Sequence, residues 1–127
     1  MSTTEIKYFT PKEAQKTLPL VRQIVNDILD AGEEMRQLIL EFGDESDENP
    51  RVKKQLDKIN KYIDELEEIG CYYKDWNFSI GLVDFPSVIN DEEVMLCWRS
   101  DEPYILFYHG INEGFRGRKR IPDLLLL

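Results

Sequence analysis

The stretch Ile63-Asp64-Glu65-Leu66-Glu67-Glu68-Ile69-Gly70-Cys71-Tyr72-Tyr73-Lys74 decides the fold, because the hydrophobic period changes inside it. Before Gly70 the apolar residues recur every three or four positions, as one face of a helix requires. After it they follow the two-residue period of strands. Gly70 is the stop between the two regimes, since glycine takes a left-handed helix cap without steric cost.

Working back from Gly70, Val52, Leu56, Ile59, Ile63 and Leu66 alternate spacings of four and three, with Asn49-Pro50 as cap and first turn. Earlier still, Val21, Ile28, Met35 and Phe42 are spaced by seven, and Ile24, Ala31 and Leu38 interleave at the other seam position. The pattern predicts two helices of ~24 and ~20 residues, ~36 and ~30 Å long. The short acidic loop Gly43–Asn49 between them makes the helices antiparallel neighbours. Upstream, Thr10-Pro11-Lys12-Glu13 reads as a helix start with a capping box. Pro19 lacks an N–H and crowds the preceding turn, so a kink or break is expected near Thr17-Leu18. A two-helix seam buries its apolar stripe incompletely, so the same stripe is expected to pair with a second copy of the chain.

Working forward from Gly70, Tyr72–Lys74, Leu82–Ile89, Val94–Arg99 and Tyr104–His109 are the strand candidates, separated by Asn90-Asp91 and Ser100-Asp101-Glu102-Pro103. The spacing predicts a meander. Four-residue loops in both turns would set Asp84 opposite Arg99 and Arg99 opposite Tyr104. Phe85, Trp98, Ile105 and His109 would then share the other face, putting Cys97 and His109 on opposite faces. The expected fold is α+β: one domain, 1–127, with a long antiparallel helical hairpin (about 10–70) packed on a small three- to four-stranded antiparallel sheet and a basic tail (about 71–127).

Composition narrows the function classes. A chain of 127 residues with 42% hydrophobic and 32% charged residues suits one globular domain. No apolar run reaches the ~20 residues of a membrane span, and Met1–Glu5 lacks a signal-peptide pattern. The expected location is therefore cytoplasmic, with Cys71 and Cys97 reduced; a disulfide between them is the alternative. The net charge of −9 is uneven. Arg116, Arg118, Lys119 and Arg120 against Asp123 give residues 114–127 a charge of +3, leaving −12 on the rest. Such a body repels nucleic acid and anionic membranes, so neither is an expected partner.

The chemistry-bearing residues lie in the strand half. The segment from Tyr108 to Arg118 leaves a strand and enters a loop with three glycines and two arginines, a setting that suits a small anion. Arg99 and Arg118 would hold it, with His109 and Glu113 fixing polarity. A metal site built from His109, Glu113 and Asp84 is the alternative, one histidine and two carboxylates suiting iron, manganese or zinc. A Cys97–His109 nucleophile pair is a further arrangement, set against the simpler reading of a buried cysteine beside Trp98. Asp84 with Arg99 reads as a structural ion pair.

Four stretches, Phe9–Val21, Gly81-Leu82-Val83-Asp84-Phe85-Pro86, Leu96-Cys97-Trp98-Arg99 and His109–Arg118, together resemble the prokaryotic domain of unknown function 2203 family. That family has no established activity. The resemblance favours Asp84, Trp98, Arg99, His109, Glu113 and Arg118 as a group. It also implies acidic residues at the positions of Gly110 and Asn112, where this chain departs. The expectation is a non-enzymatic, homo-oligomeric protein that binds a small anion or acts as a scaffold, with a metal-dependent hydrolase as the competing class.

Overall fold

The computed structural model describes residues 5–127, so most of the Met1–Glu5 stretch read above for a signal peptide lies outside the described residues. Helix α1 spans Pro11–Phe42 and helix α2 spans Pro50–Ile69, joined by a 3-10 turn at Gly43–Glu48. The end signals act as their chemistry predicts. Thr10 and Glu13 form a reciprocal capping box, with Glu13 N–H donating to Thr10 Oγ1 at 3.1 Å and Thr10 N–H to Glu13 Oε1 at 2.9 Å. Asn49 caps α2 through the Arg51 N–H, and Gly70 closes it with φ 111°.

Of the kink or break expected near Thr17-Leu18, the break does not occur; α1 runs continuously through Pro19 for 32 residues. Proline in a helix interior costs about 3 kcal/mol. Burial outweighs that cost here, because Ala14, Leu18 and Val21 flank the proline in the core. The Gln15 side chain also grips the backbone of Ile105 on both sides, donating to its carbonyl at 2.5 Å and accepting from its N–H at 3.0 Å. The seam residues Val21, Ile24, Ile28, Ala31 and Leu38 are buried within the chain itself. Among the described residues no helix is long and apolar enough to cross a membrane.

The sheet has five strands in the order β1 (Tyr72–Tyr73), β2 (Leu82–Ile89), β3 (Glu92–Arg99), β4 (Phe107–Gly110) and β5 (Lys119–Arg120), all antiparallel. This corrects the expected three or four: two residues of the basic tail pair with Phe107 and Tyr108 to add an edge. One face carries Val83, Phe85, Leu96 and Trp98, all fully buried in one core cluster with the helices. Among the described residues, neither α1 nor α2 lines the cavities on the other face.

Both expected registers are corrected, with different consequences. Asn90 and Asp91 have φ of 54° and 65°, a two-residue turn in place of a four-residue loop. Asp84 therefore faces Cys97 rather than Arg99, a slide of two residues that leaves every side chain on its expected face. The next connection is longer than expected. Glu102 N–H donates to the Arg99 carbonyl and the Glu102 carboxylate accepts from Arg99 N–H, both at 2.8 Å, while Gln15 holds Ile105. The chain re-enters the sheet only at Phe107, with His109 opposite Met95. That slide of one residue moves His109 to the open face, beside Asp84 and Cys97.

Among the described residues, one buried side-chain polar atom, the Tyr73 hydroxyl, has no hydrogen-bond partner, and burial, followed by the nearby Asp75, pushes its pKa up. Burial likewise pushes the Cys71 thiol up to about 12. The folded chain then keeps both protons where the unfolded chain releases them. Stability that is complete below pH ~8 should fall as pH rises past the ordinary thiol value of about 9 and the phenol value of about 10, each group costing about 1.4 kcal/mol per pH unit above its own ordinary value. Tyr73→Phe removes an unsatisfied hydroxyl and should raise stability at neutral pH by about 1 kcal/mol. It should also flatten the alkaline loss. Urea midpoints of both proteins at neutral and alkaline pH measure the two effects.

Candidate functional site

The open face of the sheet brings three buried groups together from three adjacent strands. Asp84 on β2 and Cys97 on β3 are cross-strand partners, and His109 on β4 lies diagonally beside Cys97. One ligand atom from each (a carboxylate oxygen, a sulfur and a ring nitrogen) lies within 4.8 Å of the others. His109 Nε2 is 3.2 Å from Asp84 Oδ1, and His109 Nδ1 is 2.8 Å from the Gly110 carbonyl.

Hydrogen-bond accounting assigns the ring. A carbonyl only accepts, so Nδ1 carries a proton and donates it to Gly110. In the neutral ring Nε2 then presents its lone pair to Asp84, and two acceptors at 3.2 Å need a proton or a cation between them. The Cys97 thiol is pushed up to about 12, by burial first and then by the Asp84 charge. In this form it is a protonated thiol, which argues against the Cys97–His109 nucleophile pair. The placement of Cys97 and His109 on opposite faces is corrected by the register described above.

The three groups line a cavity of about 320 Å³ whose other walls include Lys74, Glu113 and Phe115. The glycine-rich segment after β4 forms its rim. Glu113 folds back so that its Oε1 accepts from Gly110 N–H at 2.9 Å. A Cβ on Gly117 would lie 2.8 Å from Glu113 Oε2, so this approach needs glycine there. Glu113 thus shares the cavity with Asp84 and His109, but its carboxylate is outside the converging trio, where Cys97 stands instead.

The arginines are engaged elsewhere. Arg118 pairs with Glu102 at 2.8 Å, both side chains 12% exposed, and its guanidinium sits 4.3 Å from the Phe107 ring centre and 4.2 Å from that of Phe115. Arg99 pairs with Asp101 at 2.6 Å and lies 5.4 Å from the Phe115 centre. The expected Asp84–Arg99 ion pair is therefore replaced by Asp84–His109 and Arg99–Asp101. Together the two arginines brace Phe115 against the cavity by cation–π contact. Trp98 is not in the cavity; it is fully buried on the helix-facing side, where its indole N–H donates to the Glu102 carbonyl at 2.9 Å. Cys97 and Lys74 are the members that the sequence reading left out of the candidate group. The signal for Cys97 was present in Asn90-Asp91, which as a two-residue hairpin turn sets Asp84 opposite it.

The fold and site define a class: a small α+β fold with a buried Asp–Cys–His cluster opening on a cavity in the sheet face turned away from the core cluster. Residues 7–121 match a family of uncharacterised conserved proteins designated DUF2203, and the chain belongs to that family. No curated protein and no solved structure matches the chain.

Proposed function

We propose that the protein binds a divalent transition-metal ion, zinc above others, through Asp84, Cys97 and His109, leaving a coordination position open to the cavity. The supporting observation is the convergence of three different buried ligand atoms within 4.8 Å. A tetrahedral zinc site, with bonds of ~2.0–2.1 Å to nitrogen and oxygen and ~2.3 Å to sulfur, spaces its ligands roughly 3.3–3.6 Å apart. The Nε2–Oδ1 distance of 3.2 Å is already close to that. The Nδ1–H bond to Gly110 orients the ring as outer partners of metal-bound histidines do. Charge supports the same reading. A carboxylate, a thiolate and a neutral imidazole carry two negative charges, which a divalent cation balances in a buried setting. A sulfur ligand favours zinc-like ions over magnesium or calcium.

Anion binding through Arg99 and Arg118 has less support, because each guanidinium already holds a carboxylate. Homo-oligomerisation through the helices would fall to Leu20, Ile39, Leu40 and Leu56, which remain exposed. A second reading, metal-assisted hydrolysis, is favoured by Glu113, a carboxylate on the same cavity in place for general-base work.

Cobalt substitution tests the proposal. The full chain should take up one equivalent and show thiolate-to-cobalt charge-transfer absorption. Cys97→Ser should lose the band, whereas Glu113→Gln should keep it. Absence of uptake, or an unaltered band in Cys97→Ser, overturns the reading. Ester hydrolysis by the loaded protein that disappears in Glu113→Gln would extend it to catalysis.

A further inference from the structure

A second cavity of about 320 Å³ lies on the same sheet face and shares Lys74, Met95 and Ile111 with the first. Its walls are largely apolar, formed by Ile6, Tyr8, Tyr72 and Pro86. The N-terminal segment is fastened along this edge by Phe9 N–H donating to the Pro86 carbonyl at 2.8 Å and by the Ser87 hydroxyl donating to the Phe9 carbonyl at 2.5 Å. Glu93 is the acid of this wall, and it accepts from the Tyr8 hydroxyl. The pair of cavities therefore forms one groove, apolar at the Tyr8 end and polar at the Asp84–Cys97–His109 end. Lys74 stands where they join, exposed and without an ion pair among the described residues.

We infer that the groove takes a small monocarboxylate with an apolar tail, its carboxylate between Lys74 and the metal position and its tail over Met95 and Pro86. The inference rests, for its polar end, on the metal-binding reading. Three features select this class. The two cavities together fall in the ~300–1,000 Å³ range of small-molecule sites. The unpaired ammonium at the junction matches a carboxylate. The flexible thioether of Met95 and the ring of Pro86 offer an apolar floor that adapts to chain length. Ile6, Tyr8 and Ile111, all substantially exposed, then form a rim that a bound tail would cover.

The test uses the full chain, loaded with zinc after uptake has been measured, and titrates acetate and octanoate by calorimetry. Octanoate should bind at least ~10-fold tighter than acetate, because two buried methylenes suffice for that ratio. Lys74→Met should weaken octanoate ~10-fold or more without changing zinc uptake. Ile6→Ser with Ile111→Ser, neutral changes that remove apolar wall without adding charge beside Lys74, should abolish most of the preference for octanoate while leaving zinc uptake and acetate binding intact. Equal binding of the two acids, or a preference that survives the paired serines, overturns the inference. So does octanoate binding that disappears as the chain self-associates, since a second copy would then be the occupant. If zinc uptake fails, the metal reading falls by itself. The same titration on the metal-free chain then decides, an octanoate preference dependent on Lys74 supporting the inference and its absence overturning it.

Discussion

His109→Ala is expected to lower zinc affinity more than ~100-fold, because even an outer partner of a metal ligand is worth 10–100-fold and His109 would be a ligand itself. In the unsubstituted protein, zinc at ~100 times its dissociation constant adds about 2.7 kcal/mol to stability. For a chain of this size that corresponds to roughly 10 °C in Tm. The variant should show almost none of that shift. Its metal-free form should also be less stable, by about 1–3 kcal/mol, since removing the imidazole leaves the Asp84 carboxylate buried without its partner. Calorimetric melting with and without zinc separates the two effects, the first acting on the shift and the second on the baseline. A zinc-induced shift equal to that of the unsubstituted protein would remove His109 from the metal site. Gly110 offers a quieter control. The His109 Nδ1–H bond is accepted by the Gly110 backbone carbonyl, so side-chain changes there should disturb Glu113, whose Oε1 lies 2.8 Å from where a Cβ would be, before they disturb the imidazole.

The parts of this fold that follow from neighbouring residues were legible, and those set by distant contacts were not. Thr10 and Glu13, Asn49 and Pro50, and Gly70 each act within a few positions of themselves, so the helix ends could be read directly. Pro19 misleads for the same reason. Its local cost is real, but the contacts that offset it come from the core and from Gln15 reaching Ile105, ninety positions away. The site follows the same division. Asp84 and His109 stand out by residue type, whereas their convergence depends on how many residues the Ser100–Leu106 excursion consumes before β4 begins. That number is set by Glu102, which binds Arg99 and Arg118, accepts the Trp98 indole proton through its carbonyl, and so shapes the turn from side chains on three sides. A one-residue error there reverses the face of His109 and hides the cluster. β5 was illegible because Lys119-Arg120 has no strand pattern of its own and pairs only because β4 presents an edge.

Trp98→Ala should be the most destabilising single substitution considered for this chain, at about 3–5 kcal/mol. The side chain is fully buried between sheet and helix, with the Arg22 guanidinium 5.2 Å from its ring centre, and its N–H satisfies the Glu102 carbonyl. Alanine leaves both a cavity and an unpaired, partly buried acceptor. Against the ~5–15 kcal/mol of a typical domain, that loss could consume much of the stability margin. Trp98→Phe keeps most of the volume and should cost about 1–2 kcal/mol, chiefly through the lost hydrogen bond. The phenylalanine variant also tests the role suggested for Trp98 by the family resemblance, as a ligand-binding residue. Because the indole lies on the opposite face of the sheet from the Asp84, Cys97 and His109 side chains, zinc affinity of the folded phenylalanine variant should change much less than its stability. Urea unfolding reads the stability, and zinc titration of the folded variant reads the site. Loss of zinc or octanoate binding at unchanged stability would put Trp98 back among the ligand contacts. Loss of stability with binding intact makes it the packing residue that holds β3, and therefore Cys97, in register.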